Sequence, residues 1–173
     1  MKKHLTYIKK VLARGADDAL LVDTRRVFTA PWVRLKCQFG CAGYGRTLTC
    51  PPFAPTPEQT RSILDSYSHA MLIHRHRKRD YEDMEKFNDI IVDLETTLFF
   101  DGYYKAFGIG SGPCMGCKKC DTTVSCKHPP RARPSMEACG IDVFKTAREH
   151  SLPIGVVRKR GEERDIYGLV LIE

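Results

Sequence analysis

The sequence lacks long apolar runs. No stretch of the 173 residues approaches the roughly 18 consecutive apolar residues of a membrane-spanning helix. Residues 1–15 form a basic, amphipathic segment without the apolar core or the small-residue cleavage site of a secretory signal. We therefore expect a cytoplasmic protein that does not contact membranes. Because thiols stay reduced in the cytosol, its cysteines are predicted to bind metal and not to form disulfides.

The sequence also lacks a P-loop, a Rossmann fingerprint and a recognisable nucleophile–base pair. It contains no linker, repeat or low-complexity stretch, so its length predicts one domain over residues 1–173. The formal charge of +7 could attract nucleic acid, but no aromatic residues are interleaved with the densest basic run, residues 74–79. This argues against nucleic-acid binding. We interpret the run as a solvated strand end and turn, with a docking patch for an acidic partner as the alternative.

Apolar periodicity predicts helices that alternate with strands. Leu5–Leu12 has helical spacing, Thr56–Gln59 is a capping box before a second helix, and a longer helix follows Asp80. A fourth helix is predicted with Ser135 as its N-cap and Cys139 on its apolar side. Strands are predicted at residues 19–22, 27–35, 70–73 and 104–109, and a hairpin at 154–158 and 166–172. The pattern predicts an α/β domain with a mixed β-sheet flanked by helices and two cysteine-rich loops, each preceded by an extended segment.

Eight cysteines are many for this length, and seven of them fall into two runs. The second run contains Cys114, Cys117, Cys120 and Cys126. Three thiolates at i, i+3 and i+6 in a turning loop can converge on three corners of one four-iron cluster, as in the ferredoxin pattern C-x₂-C-x₂-C-x₃-C-P. Zinc more often uses two separated Cys-x₂-Cys pairs. The spacing therefore favours iron–sulfur over zinc, although five residues precede the fourth cysteine where the ferredoxin pattern has three.

The first run contains Cys37, Cys41 and Cys50 and leaves one ligand position to be filled. Cys139 is a candidate fourth ligand, which would give eight thiolates for two clusters, or a buried thiol on the apolar side of a helix. Ligands could also be exchanged between the runs, with Cys50 and Cys126 as the candidates. In a third possibility the fourth position is left to water or substrate, which would make the iron catalytic.

Polar residues beside the second run allow two interpretations. His128 lies near Cys126 in sequence and is considered as a ligand or as a hydrogen-bond donor. Arg131 and Arg133 could neutralise cluster charge, or they could belong to a rigid segment at the start of the following helix. We favour the structural role for the arginines.

Three segments combine cysteine with glycine and proline in specific motifs. They are CAGYG and CPP within residues 41–52, GSGPCMGCKKC at residues 110–120, and CKHP followed by ARPSMEACGIDV within residues 126–143. These motifs resemble an uncharacterised prokaryotic family of cysteine-rich predicted metal-binding proteins, a domain of unknown function. The resemblance implies cytoplasmic metal binding through the seven clustered cysteines and implies no particular reaction. The family does not require cysteine at the position of Cys139.

Two cysteine sets in a small domain without other catalytic equipment predict an electron carrier. In this hypothesis one or two 4Fe–4S clusters exchange electrons with a redox protein partner. One alternative is an iron–sulfur enzyme or activating factor in which the Cys37/Cys41/Cys50 site keeps an open iron for a small molecule. A second alternative is an interaction module stabilised by zinc, which would unfold on chelation and show no redox signal.

Overall fold

A computed structural model describes residues 2–77, 81–159 and 161–173. The helices are α1 (Lys2–Ala13), α2 (Pro31–Gly40), α3 (Pro57–Asp65), α4 (Tyr81–Phe100) and α5 (Val143–Glu149). The strands are β1 (Asp18–Asp23), β2 (His69–Arg77), β3 (Phe107–Ile109) and β4 (Arg164–Leu171), and a short 3₁₀ helix, Thr24–Arg26, follows β1. Within these ranges no helix combines the length and the apolar character needed to cross a membrane.

The four strands form one sheet in the order β1-β2-β4-β3, and each pairing is antiparallel. The prediction of an α/β domain is confirmed, but the strand directions differ from the mixed sheet that we expected. In the described part of the chain, parallel pairing is limited to an isolated bridge between Gly110 and Ser135. Along the chain, α2 and α3 come between β1 and β2. The chain leaves the sheet at the end of β1 and returns beside that point at the start of β2, where Asp23 pairs with His69.

Helices cover the sheet on both faces. On one face α1 and α4 pack against the strands, and Phe87 and Val170 belong to the same buried cluster. On the other face lie α3, α5 and the segment 134–141, and Leu64 and Leu169 belong to a second cluster. Of the eight cysteines only Cys139 is a member of either cluster. The seven other cysteines lie outside both clusters, although Cys50 is also buried.

Local sequence signals account for several of these elements. Thr56 Oγ1 accepts a hydrogen bond from the Gln59 amide at 3.2 Å, and Gln59 Oε1 accepts one from the Thr56 amide at 2.8 Å. This capping box starts α3 with Pro57 at its first position, as predicted. The strands predicted at residues 19–22 and 70–73 lie within β1 and β2, and the helix predicted to begin at Asp80 is α4. Asp80 itself lies outside the described residues.

The strand predicted at residues 27–35 is wrong. Residues 31–40 form α2, with Pro31 at the first helical position. An amide hydrogen at this position would make no intrahelical hydrogen bond, so proline is well tolerated there. Cys37 consequently lies on a helix and not in a loop after an extended segment. The strand predicted at 104–109 is shorter than expected and comprises Phe107–Ile109.

The helix predicted to start at Ser135 is also wrong, because the chain turns before it can begin. Gly140 has φ +73°, and a Cβ at this position would lie 2.5 Å from Pro57 Cγ, so the turn requires glycine. The helix α5 begins after Asp142, whose side chain accepts a hydrogen bond from the Lys145 amide at 2.9 Å. Cys139 therefore lies in the turn before α5 and not on a helix.

The predicted C-terminal hairpin contains only one strand. Residues 154–158 form no strand, whereas residues 164–171 form β4. Strand β4 pairs with β2 along one edge and with β3 along the other. Neither edge of β4 is therefore free for a hairpin partner. Ile154 packs instead against the cluster beneath α3 and α5.

Candidate metal centre

Helix α2 and the loop that follows it bring Cys37, Cys41 and Cys50 to one cavity of about 530 Å³. A Cβ at Gly43 would lie 3.5 Å from Cys41 Sγ and 3.8 Å from Cys50 Sγ, so both sulfurs face the same point of the loop. The Gly43 amide donates a hydrogen bond to Cys41 Sγ at 3.4 Å. Amide hydrogens directed at sulfur tune the properties of metal–thiolate sites.

The thiols of the first run also interact electrostatically. Burial raises the pKa of Cys37, and the neighbouring Cys41 adds to the increase. Burial raises the pKa of Cys50 as well, and Cys41 and Cys114 add to the increase. A hydrogen bond with Thr47 lowers this pKa but does not cancel the increase. In this environment both groups favour the neutral thiol, and a bound metal cation would favour the thiolate. A Cβ at Gly43 would also lie 3.8 Å from Cβ of Pro113, the residue before Cys114, so the two runs lie close together.

Three thiols of the second run share a second, more open cavity of about 1050 Å³. They belong to Cys114, Cys117 and Cys120. The charged residues of its lining are Arg46, Glu82, Glu85, Lys118 and Lys119. The two cavities adjoin, because Gly43 and Pro113 line both of them.

Cys126 does not line the cavity of the other three thiols of its run. It lines a third cavity of about 550 Å³, and its sulfur accepts a hydrogen bond from the His128 amide at 3.4 Å. The His128 ring lies near Cys114, because a Cβ at Gly116 would be 3.8 Å from Cys114 Sγ and 3.9 Å from His128 Cδ2. The segment that carries Cys126 therefore folds back beside the second cavity.

Cys139 occupies a position typical of a core thiol. It is 2% exposed and packs in the apolar cluster beneath α3 and α5. Burial raises its pKa to about 12. It does not line the cavity of the first run but the third cavity, together with Cys126. A role as metal ligand stays a prediction, and the packing is that of a small apolar side chain.

The donor set consists of thiols, which as thiolates bind both iron–sulfur clusters and zinc. Within residues 2–77, 81–159 and 161–173 no three cysteine, histidine or acidic side chains stand close enough to hold one metal ion. Three thiols of each run nonetheless line a common cavity. A four-iron cluster is larger than one ion and takes one thiolate at each corner, so its ligands stand farther apart than those of tetrahedral zinc.

A buried polar cluster at the end of β2 was missed by the sequence analysis. His74 is 2% exposed, with Nδ1 2.9 Å from Asp18 Oδ2 and Nε2 3.0 Å from Asp165 Oδ1. The same Asp165 oxygen lies 2.9 Å from His76 Nδ1. The spacing of two between His74 and His76 in a strand was the available signal, because alternate side chains share one face.

The interpretation of residues 74–79 as solvated is therefore wrong for part of the run. His74 is buried, and so is Arg75, whose guanidinium pairs with Asp83 at 2.8 Å. Lys78 and Arg79 lie outside the described residues. The charge at the start of this run is balanced by carboxylates of the same domain.

The arginines after the second run have structural partners. Arg133 donates from Nε and Nη2 to the two carboxylate oxygens of Glu95, at 2.6 Å each. Its Nη1 donates to the carbonyls of Pro129 at 3.0 Å and Ala132 at 2.8 Å. Arg131 pairs with a carboxylate of α4. These contacts support the structural interpretation that the sequence favoured.

Comparison with known protein families gives one match. Residues 20–172 match the family DUF2284, described as "Predicted metal-binding protein". The match spans most of the chain, and the chain therefore belongs to this family. Comparisons with curated proteins and with solved structures gave no match. The resemblance identified from the cysteine motifs is confirmed.

Proposed function

We propose that this member of the predicted metal-binding family carries one or two 4Fe–4S clusters and exchanges electrons with a redox protein partner. The observation that carries the proposal is the grouping of thiols: three from each run face one cavity, and the two cavities adjoin at Gly43 and Pro113. Two redox cofactors in adjoining cavities would provide a short path for electrons. When bound, such a cluster supplies one-electron transfer.

The residues of this chain have separate roles in the proposal. Cys37, Cys41 and Cys50 hold the first cluster, and the second is held by the second run, which includes Cys126 as in the ferredoxin pattern. The loop of the first site lies against Pro113, which precedes Cys114, so a ligand exchanged from the second run to the first site would be Cys114. The Gly43 amide hydrogen bond to Cys41 would raise the reduction potential by stabilising negative charge on sulfur.

The charges at the open cavity suit both a cluster and a partner. Arg46, Lys118 and Lys119 line the cavity of the second run, beside Glu82 and Glu85. A four-iron cluster with four thiolates carries net negative charge, which nearby cations stabilise. Cations at an exposed rim also steer an acidic partner toward the cofactor. We therefore place the docking of the redox partner at this cavity.

The test is metal analysis of anaerobically reconstituted protein, followed by EPR after reduction with dithionite. We expect visible charge-transfer absorption and a signal from a reduced cluster. The variants Cys41→Ser and Cys117→Ser each remove a central ligand of one run and should each lower the iron content, while the matched variant Cys139→Ser keeps it. A colourless protein that holds stoichiometric zinc would contradict the proposal.

The size of the first cavity favours a second candidate function, an iron–sulfur enzyme or activating factor with an open iron. About 530 Å³ beside Cys37, Cys41 and Cys50 is enough for a small molecule as well as for a cofactor. Replacement of Cys139 by Ala tests the fourth position of the first cluster. A first cluster that survives with a labile iron and altered ligand binding favours the enzyme, whereas complete loss of the cluster would make Cys139 an ordinary ligand and contradict its assignment as a core thiol. A zinc-stabilised module would instead unfold on chelation without any redox signal.

A further inference from the structure

The cavity of the first run is lined by other elements besides its thiols. Its lining also includes the segment 154–157 and the start of β4, with Asp165 and Tyr167. Most of the lining is apolar, and its larger apolar side chains include Trp32, Val33, Ile141, Phe144, Ile154 and Ile166. The cavity therefore combines apolar walls with the thiols of the first run and the carboxylate of Asp165.

The carboxylate of Asp165 is held in a fixed orientation. Its side chain is 12% exposed, and Oδ1 contacts His74 Nε2 at 3.0 Å and His76 Nδ1 at 2.9 Å. His74 is itself held by Asp18 and stacks on Tyr167 with ring centroids 4.8 Å apart. Both histidine contacts are made to Oδ1 and not to Oδ2.

Asp165 is an anion in this setting. Burial opposes ionisation, but hydrogen bonds from His76 and His74 outweigh it and hold the pKa of Asp165 below its ordinary value. An ionised carboxylate oxygen accepts hydrogen bonds and donates none. The other charged residues of the lining are Lys36, Glu137 and Arg164, which leave the lining without net formal charge. Selection by charge must then come from the local position of Oδ2 and not from the overall field.

We propose that this cavity binds a small, mainly apolar organic molecule through an ammonium group that donates a hydrogen bond to Asp165 Oδ2. The apolar walls bury the body of the molecule, and the fixed carboxylate binds its cationic end. The bound molecule shares this cavity with the thiols of Cys37, Cys41 and Cys50. Binding itself is independent of the metal, and only the position of the molecule beside a cluster rests on the proposed function.

The probe is phenethylamine, with hydrocinnamate as a control of similar shape and opposite charge. Affinities are measured by isothermal titration calorimetry on the anaerobically purified full chain. We expect phenethylamine to bind more tightly than hydrocinnamate. We also expect Asp165→Asn to weaken phenethylamine binding by about tenfold or more, because a charge-assisted hydrogen bond is lost. Glu163→Gln is the matched control, since Glu163 contacts His76 Nε2 at 3.4 Å but does not line the cavity.

A second variant tests the cavity without the carboxylate. Val143 is partly buried on the wall, and Val143→Trp would fill the apolar body and abolish binding of the probe. Circular dichroism checks that each variant is folded, and Val143→Trp provides the test if Asp165→Asn is not folded. Equal affinity for the two probes, wild-type affinity in Asp165→Asn, or undiminished binding in Val143→Trp would overturn the proposal. Because metal content is not the readout, loss of the electron-transfer proposal would leave this result unaffected.

Discussion

Replacement of Arg133 tests how the loop that carries the second cysteine run is anchored. Arg133 follows this loop and binds both carboxylate oxygens of Glu95 on α4, with side-chain exposures of 12% and 14%. Glu95 also accepts a hydrogen bond from the Gly108 amide of β3 at 2.7 Å. The guanidinium thus connects the end of the loop to a helix and to the edge of the sheet.

Arg133→Met should destabilise the domain by about 3 kcal/mol. Removal of one partner of a buried ion pair costs about 3–5 kcal/mol, because the remaining charge stays buried without compensation. We expect the lower end of that range, since Glu95 keeps its hydrogen bond from Gly108 and slight contact with water. For a protein of this size the loss corresponds to a decrease in Tm of roughly 6–12 °C.

The assay is urea and thermal unfolding under anaerobic conditions, with Arg131→Met as the control. The pair between Arg131 and Asp89 is more exposed, at 62% and 39%, so its loss should cost less than about 1 kcal/mol. The double variant Glu95→Met/Arg133→Met should recover part of the stability, because it leaves no buried charge. Arg133→Met within about 1 kcal/mol of wild type would refute the assignment of this pair as a structural anchor.

Three further predictions concern single residues. Cys139→Ala should destabilise the protein by roughly 1–2 kcal/mol, because it leaves a small cavity in the core. Iron content should not change, and a loss of iron would contradict the placement of Cys139 in the core. The hydrogen bond with Asp165 raises the pKa of His76, so the stability from this contact is complete below the unfolded-state pKa of about 6.5 and is lost as pH rises through the folded-state pKa. Urea unfolding across this range should show the loss in wild type but not in Asp165→Asn, and identical pH profiles would contradict the contact. Thr56→Ala should reduce the free energy of unfolding by about 1 kcal/mol, because it removes the capping box. Thr56→Ser should keep most of the wild-type stability. An Ala variant as stable as wild type would exclude the cap as a stabilising feature.

Elements set by short-range signals could be predicted from the sequence. The capping box at Thr56 predicts the start of α3 because the bonding groups are three residues apart. The apolar periodicity after Asp80 predicts α4, and the run at residues 70–73 predicts the buried centre of β2. In each case the interactions that stabilise the element lie within the segment itself or on its one buried face.

Elements that depend on distant partners could not be predicted in the same way. Residues 154–158 have the composition of a strand, but both edges of β4 are occupied by strands from other parts of the chain. The turn at Gly140 interrupts the predicted helix because Pro57, far away in sequence, lies against it. These outcomes depend on tertiary packing, which overrides local propensity.

The candidate site shows the same division. The grouping of cysteines by sequence agrees with the grouping by cavity for Cys37, Cys41 and Cys50. The position of Cys126 at another cavity, and the closeness of Gly43 to Pro113, depend on how the two loops fold against each other. Sequence spacing indicates which thiols can share a site, whereas tertiary packing decides how the two sets adjoin.

Iron and acid-labile sulfide analysis of the anaerobically reconstituted protein tests the central claim most directly. We predict equal amounts of iron and sulfide, about four of each per cluster for one or two clusters per chain, with an EPR signal after reduction. Equal occupancy in Cys139→Ser, together with lower content in Cys41→Ser and Cys117→Ser, would assign the clusters to the two runs. Stoichiometric zinc without sulfide, and no EPR signal after reduction, would contradict the account.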